Sequence, residues 1–146
     1  MDSDKNAEHH NALDDLLDQD GQTPNDVDLL VQIGRRLVKL GQLDEAQTYY
    51  DRALRLAPDD GWTHIYLGSL HHIRRRHRSA LRYFLRAAEL LPDVACPFWC
   101  LCDIYDAMGK SSLAESSYKQ AVSVESDDRQ AKRKLYEWYE RRYTPE

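Results

Sequence analysis

The 146-residue chain contains no apolar run approaching the roughly 18 residues of a membrane span. Its N-terminus is acidic from Asp2 onward and has no basic segment followed by an apolar one, so no secretion signal is read there and a cytoplasmic protein is expected. Cysteine is scarce. Cys96, Cys100 and Cys102 fall within seven residues, which excludes a disulfide framework. Also missing are a Gly-rich phosphate loop, a nucleophile elbow and a His–Glu pair at zinc-ligand spacing. The motifs of the common phosphate, acyl and zinc chemistries are therefore lacking, and the expectation is a protein that is not an enzyme and carries no cofactor.

What is present is a period. Gly34, Gly68 and Cys102 are separated by steps of 34 residues, as are Ala46, Ala80 and Ala114, and Tyr50, Phe84 and Tyr118. Ala53, Ala87 and Ala121 keep the step, and so do Leu30, His64 and Phe98, with Pro58 and Pro92 sharing it. Small and aromatic residues at fixed offsets in a repeat of this length describe stacked helix–turn–helix units. Three units follow, 27–60, 61–94 and 95–128, and 129–143 continues the register as an unpaired polar helix. That last segment places Leu135, Tyr136 and Tyr139 at core offsets and suits a solvating cap.

The pattern resembles the tetratricopeptide repeat (TPR) family, whose repeats show an aromatic or Leu, then Leu, Gly and Tyr, then Ala, an aromatic, Ala and a closing Pro. The resemblance implies an all-α, right-handed superhelical solenoid of antiparallel helix pairs over 27–146. In the first unit the residues predict helix A over about Val27–Leu40 and helix B over about Asp44–Leu56. Gly41 makes the turn, Asp44 caps the second helix and Pro58 stops it. The second unit departs at His64, where a large apolar residue is expected, and at Arg75, which replaces the turn Gly. In the third, Ser112 and Glu115 read as a capping box.

Residues 1–26 differ in composition. Eight acids against Lys5 alone give them a net −7, which leaves +2 for the remainder of a chain at −5. Two readings stay open: a disordered acidic leader, or a short amphipathic helix carrying Leu13, Leu16 and Leu17 that docks on the array and shields its first repeat.

In this family function resides on the concave face lined by the A helices. Its register implies Asp28, Val31, Gln32, Arg35, Val38 and Lys39 from the first unit. The second contributes Trp62, Ile65, Tyr66, Ser69, His72 and Ile73, and the third Cys96, Trp99, Cys100, Asp103, Asp106 and Ala107. Apolar groups at positions the fold leaves free point to a binding patch. The expected groove is made of Val31, Arg35, Trp62, Ile65, Tyr66, Ser69, His72, Trp99, Cys100, Asp103 and Asp106. Trp62, Tyr66 and Trp99 are expected to converge in it around a protein or peptide ligand. Some family members clamp a C-terminal carboxylate with Lys, Asn, Asn, Lys and Arg. Here Val31, Arg35, Tyr66, Cys96 and Cys100 occupy those places, and the resemblance argues against that mode.

Two further clusters compete for a role. The run His71 to Arg78, followed by Arg82 and Arg86, could meet phosphates. It falls on a turn and an outer face in a domain of charge +2, so a solvated turn, which could also dock the acidic leader, is the better reading. His72, Cys96 and Cys100 could supply at most three ligands without paired zinc spacing, so no metal site is expected. The sequence thus predicts a non-catalytic interaction module, an adaptor or chaperone-like protein similar in architecture to the small TPR chaperones of bacterial type III secretion. Self-association through the same groove is the alternative. Neither a nucleic-acid partner nor a membrane is expected.

Overall fold

The computed structural model describes residues 2–125 together with Arg133, Glu137 and Glu140. Among the described residues it is all helix: α1 (Asp2–Gln22), α2 (Val27–Lys39), α3 (Leu43–Leu56), α4 (Gly61–Ile73), α5 (His77–Leu90), α6 (Cys96–Ala107) and α7 (Ser111–Val124). Helices α2/α3, α4/α5 and α6/α7 form three antiparallel pairs. Each packs on the next, so the array is a solenoid in which α2, α4 and α6 succeed one another along one face. No described helix is long and apolar enough to cross a membrane. The cap expected over 129–143 lies outside the described residues, apart from helical Arg133, Glu137 and Glu140.

The period has a packing cause. Tyr50 lies against Gly34 so closely that a Cβ there would stand 2.3 Å from the ring, and Phe84 lies 2.5 Å from the equivalent point on Gly68. Ala46, Ala53, Ala80, Ala87, Ala114 and Ala121 are fully buried, which lets the two backbones of each pair approach. Around these contacts Leu30, Ile33, Leu37, Leu67, Leu70, Phe98, Leu101 and Ile104 fill the core. Burial of each such side chain stabilises the fold by about 1.5–3 kcal/mol.

The three intra-pair turns share one hydrogen-bond pattern. Gln42, Arg76 and Lys110 donate their N–H to Leu37, His71 and Tyr105, while Gly41, Arg75 and Gly109 donate theirs to Val38, His72 and Asp106. This closure needs a left-handed residue after the helix. Gly41 and Gly109 supply it at φ +77° and +72°, and Arg75 is held there at +56° despite its side chain.

Two expected caps differ. Asp44 lies inside the first turn of α3 and pairs with Arg74 instead. Helix α7 starts at Ser111 after Lys110 without a side-chain cap, and Glu115 faces Lys119 at 3.1 Å. The cap that does form at the array's entrance is Asp26, which accepts from the Leu29 N–H at 3.2 Å. His64 occupies its apolar position because it remains bonded there: Nε2 lies 2.9 Å from the Pro58 carbonyl oxygen, and the ring is tilted against Tyr83.

The acidic segment is a 21-residue helix, longer than a short leader, and it lies along α2. Leu13 enters the first core cluster at 7 % exposure, with Leu16 packed beside it. Its polar partners are not the Arg74–Arg78 turn. Asp20 pairs with Arg52 at 3.2 Å, and His9 Nδ1 meets Arg36 at 2.8 Å. The turn lies two helices away and its Arg74 is already matched by Asp44, so the expected leader–turn contact is replaced by these pairs.

Candidate functional site

The concave positions of α2 and α4 meet in a cleft of about 190 Å³ lined by Arg35, Val38, Lys39, Tyr50, Tyr66, Ser69, Leu70 and Ile73. Its architecture begins at Gly34. The absent side chain seats Tyr50, Tyr50 stacks on Tyr66 with centroids 5.9 Å apart, and the Arg35 guanidinium lies 5.3 Å over the Tyr66 ring. Burial holds the Tyr50 phenol above its ordinary range; Tyr66 adds to this and Arg35 opposes it. Tyr50 therefore stays a neutral, fixed backing for the cleft. Ile73 at its mouth is 55 % exposed, an apolar group left in water at a position the core does not use.

Of the residues expected to make a groove, Arg35, Tyr66 and Ser69 share this cleft. Trp62 is 43 % exposed and sits one helical turn before Tyr66 on α4. Trp99 does not join them. Its ring meets Tyr118 edge-on at 4.6 Å and its indole N–H donates to Glu125 at 2.8 Å, so it belongs to the α6/α7 pair. Ile65 is 4 % exposed, which removes it from ligand contact. Val31 is half-buried against the first core cluster. Val31, Ile65 and Trp99 occupy one repeat position, which is half-buried or buried in all three units and lies outside the lining of this cleft.

The third-repeat end of the face is polar. Asp103 and Asp106 are exposed, and His72 sits half-buried beside His77, with ring centroids 5.7 Å apart. Desolvation raises the Asp103 pKa; His72 opposes that shift and Asp106 reinforces it. A second hollow of about 360 Å³ is bounded by His72, Ile73, Arg75, His77 and Ala107. Cys100, half-buried, interacts with Cys96 one turn earlier. The shared hydrogen bond lowers the Cys96 thiol to about 7 against its burial, and raises that of Cys100. Among the described residues no three His, Cys, Asp or Glu side chains are grouped as metal ligands.

Much of the basic run is occupied. Arg74 pairs with Asp44, and His71 is buried and stacked on Tyr83 at 5.3 Å. Arg86 reaches Asp59 at 3.1 Å and Glu89 at 2.9 Å. Arg75, Arg76 and Arg78 are exposed around a cleft of about 470 Å³ that also includes Met108.

Two tetratricopeptide-repeat family profiles match the chain, over residues 25–93 and 103–128. The chain belongs to the tetratricopeptide-repeat family. It is similar to the crystal structure of MamA, with a TM-score of 0.76 at 20 % identity over 97 % of this chain and 82 % of that one. YrrB, described as a TPR protein with an unusual peptide-binding site, superposes with a TM-score of 0.70 at 18 % identity, over 82 % of this chain and 62 % of that one. In human protein O-mannosyl-transferase TMTC1 a stretch is 30 % identical over 93 residues. That match takes in 61 % of this chain but only 10 % of the transferase. TPR domains in general are protein-interaction scaffolds, and this TPR fold places the present chain among modules of that kind.

Proposed function

We propose that this protein is a non-catalytic adaptor or chaperone-like module that captures a peptide or protein segment in the Arg35–Tyr66 cleft, in the cytoplasm. The observation that supports this most directly is the stacked Tyr50–Tyr66–Arg35 column beside exposed Ile73 and Trp62. An aromatic wall set over a rigid Gly34 contact offers a pre-organised platform, and a fixed surface avoids the ordering cost that a mobile one incurs on binding. Apolar anchors of the ligand would rest on Tyr66 and Ile73. Arg35 and Lys39 at one end, and Asp103 and Asp106 at the other, would select a segment acidic toward the first repeat and basic toward the third. The peptide-binding site of the similarly folded YrrB is consistent with such a use of the architecture.

The test is a peptide-display selection on the immobilised chain, followed by anisotropy titration of the best labelled sequence. Arg35→Ala and Ile73→Asp should each weaken it at least about tenfold, the loss expected when a central anchor is removed. Equal affinity for both variants and the wild type would reject the cleft. Self-association is the second reading, favoured by the same exposure of Ile73 and Trp62. It requires a solution mass that rises with concentration and a return to the monomer on Ile73→Asp.

A further inference from the structure

Helix α1 keeps the period of the array. It ends at Gln22, and α3, α5 and α7 end at Leu56, Leu90 and Val124, each a further 34 residues on. Ala12 stands at the offset of Ala46, Leu16 at that of Tyr50, Pro24 at that of Pro58, and Asp26 at that of Asp60. Its contact with α2 follows the contacts of α3 with α4 and of α5 with α6. Residues 9–26 are thus a B helix and its exit turn, the second half of a further repeat. Among the described residues the first half is not formed. Ala7 stands where Gly41 and Gly109 turn the chain, so α1 runs straight on to Asp2 instead of folding back into a hairpin.

A B helix without its A helix leaves a seat. Between α1 and α2 lies a cleft of about 490 Å³ whose walls include Ala12, Asp15 and Leu16 on one side and Arg35, Arg36 and Lys39 on the other. The half-buried Ala12 and Leu16 correspond to Ala46 and Tyr50, which are the residues that receive α2 within the first pair. Three cations face one carboxylate across the cleft, and Arg36 is additionally held by His9.

We propose that this cleft receives an amphipathic helix from a partner protein, which packs antiparallel to α1 as the absent A helix and presents carboxylates to Arg35, Arg36 and Lys39. An apolar stripe with a small residue at its centre meets Leu16, as Gly34 meets Tyr50. Successive A helices run in the same direction and in step, so the acidic side of the incoming helix lies beside the basic side of α2. Opposite charges in this position set partner choice and register. The inference concerns a different surface from the Arg35–Tyr66 cleft, although Arg35 and Lys39 border both.

The probe is a synthetic peptide of residues 27–40 carrying Arg35→Glu, Arg36→Glu and Lys39→Glu, held helical by a staple on its outer face and titrated into the full chain by anisotropy. Saturable binding is expected, weakened at least about tenfold by Leu16→Asp in the chain. A chain with Arg35→Glu and Lys39→Glu, both exposed positions that leave the core intact, should lose the acidic peptide and take up the stapled peptide of unaltered basic sequence. Ile73→Asp should leave binding unchanged. The proposal is overturned by the lack of saturable binding, or by binding that survives both Leu16→Asp and the charge exchange. Loss on Ile73→Asp alone would put the peptide in the Arg35–Tyr66 cleft and would likewise overturn it. A dimer of the chain dissolved by Leu16→Asp would assign the seat to a second copy and reject a separate partner.

Discussion

The ring of Tyr50 occupies the space a side chain on Gly34 would need: a Cβ there would stand 2.3 Å from Cε1 and 2.7 Å from Cδ1. Gly34→Ala gains up to about 1 kcal/mol of helix propensity but must push aside a 2 %-exposed ring that also backs Tyr66. Overpacking costs about 1–3 kcal/mol, so the variant should be less stable, with a reduced denaturant midpoint. Gly68→Ala, against Phe84, should behave alike. A midpoint at or above that of wild type for both would show that the rings yield freely.

Arg75 makes the opposite case. Its φ of +56° is a left-handed conformation that its counterparts Gly41 and Gly109 adopt without a side chain. Such strain costs of order 1–3 kcal/mol, and the added freedom of glycine in the unfolded chain returns about 0.4–1 kcal/mol of that. Arg75→Gly should therefore raise stability by about 1 kcal/mol in urea unfolding.

Trp62 and Trp99 separate by role. Trp99 is packed on Tyr118 and bonded to Glu125, so Trp99→Ala should cost about 2 kcal/mol or more, toward the lower side of buried aromatic truncations. Trp62→Ala, at an exposed position, should change stability by less than about 0.5 kcal/mol. Calorimetry of the two variants is the check, and equal losses would contradict the assignment.

His71 predicts a pH dependence. Burial lowers its pKa from 6.5, with Arg76 and Arg74 adding to this, Asp51 opposing it and Arg82 a smaller contribution. The folded state thus binds the proton less readily than the unfolded chain. The associated stability is complete above about pH 6.5 and is lost as pH falls from there through the lower folded value. Asp51 shifts upward, chiefly by desolvation, and acts with the opposite sign nearer the carboxylate range. His71→Phe should flatten the fall in melting temperature between about pH 6.5 and 5, and an unchanged slope would assign that fall to other groups.

Cys96, brought to about 7 by its bond with Cys100, should be the first of the three thiols alkylated by iodoacetamide. Its rate should rise through neutral pH with the thiolate fraction. Cys100→Ser should move that inflection upward, as read by mass mapping of the modified peptides.

The repeat was legible because its marks are steric. Gly34 against Tyr50 and Gly68 against Phe84 leave few alternatives, and those pairs appear in the sequence at a fixed step. The groove was legible only in part. Arg35, Tyr66 and Ser69 line one cleft, whereas Trp99 is held by Tyr118 and Glu125, contacts between helices that no spacing encodes. The strain at Arg75 was visible as a missing glycine. Helix α1 was legible as one of two readings, a helix docked through Leu13 and Leu16, but its place in the period was not: Ala12 and Pro24 keep the step, while Ala7 in place of a turn glycine, Leu16 in place of an aromatic, and a run of acids hide it.

Each described helix packs on its sequence neighbours and, at fewer points, meets the helix two places on, as α2 meets α4, α4 meets α6 and Asp20 of α1 meets Arg52 of α3. No long-range clasp joins the described ends. Tension applied between α1 and α7 would therefore meet small interfaces one after another instead of one cooperative barrier, and the molecule should lengthen in steps and recoil when released.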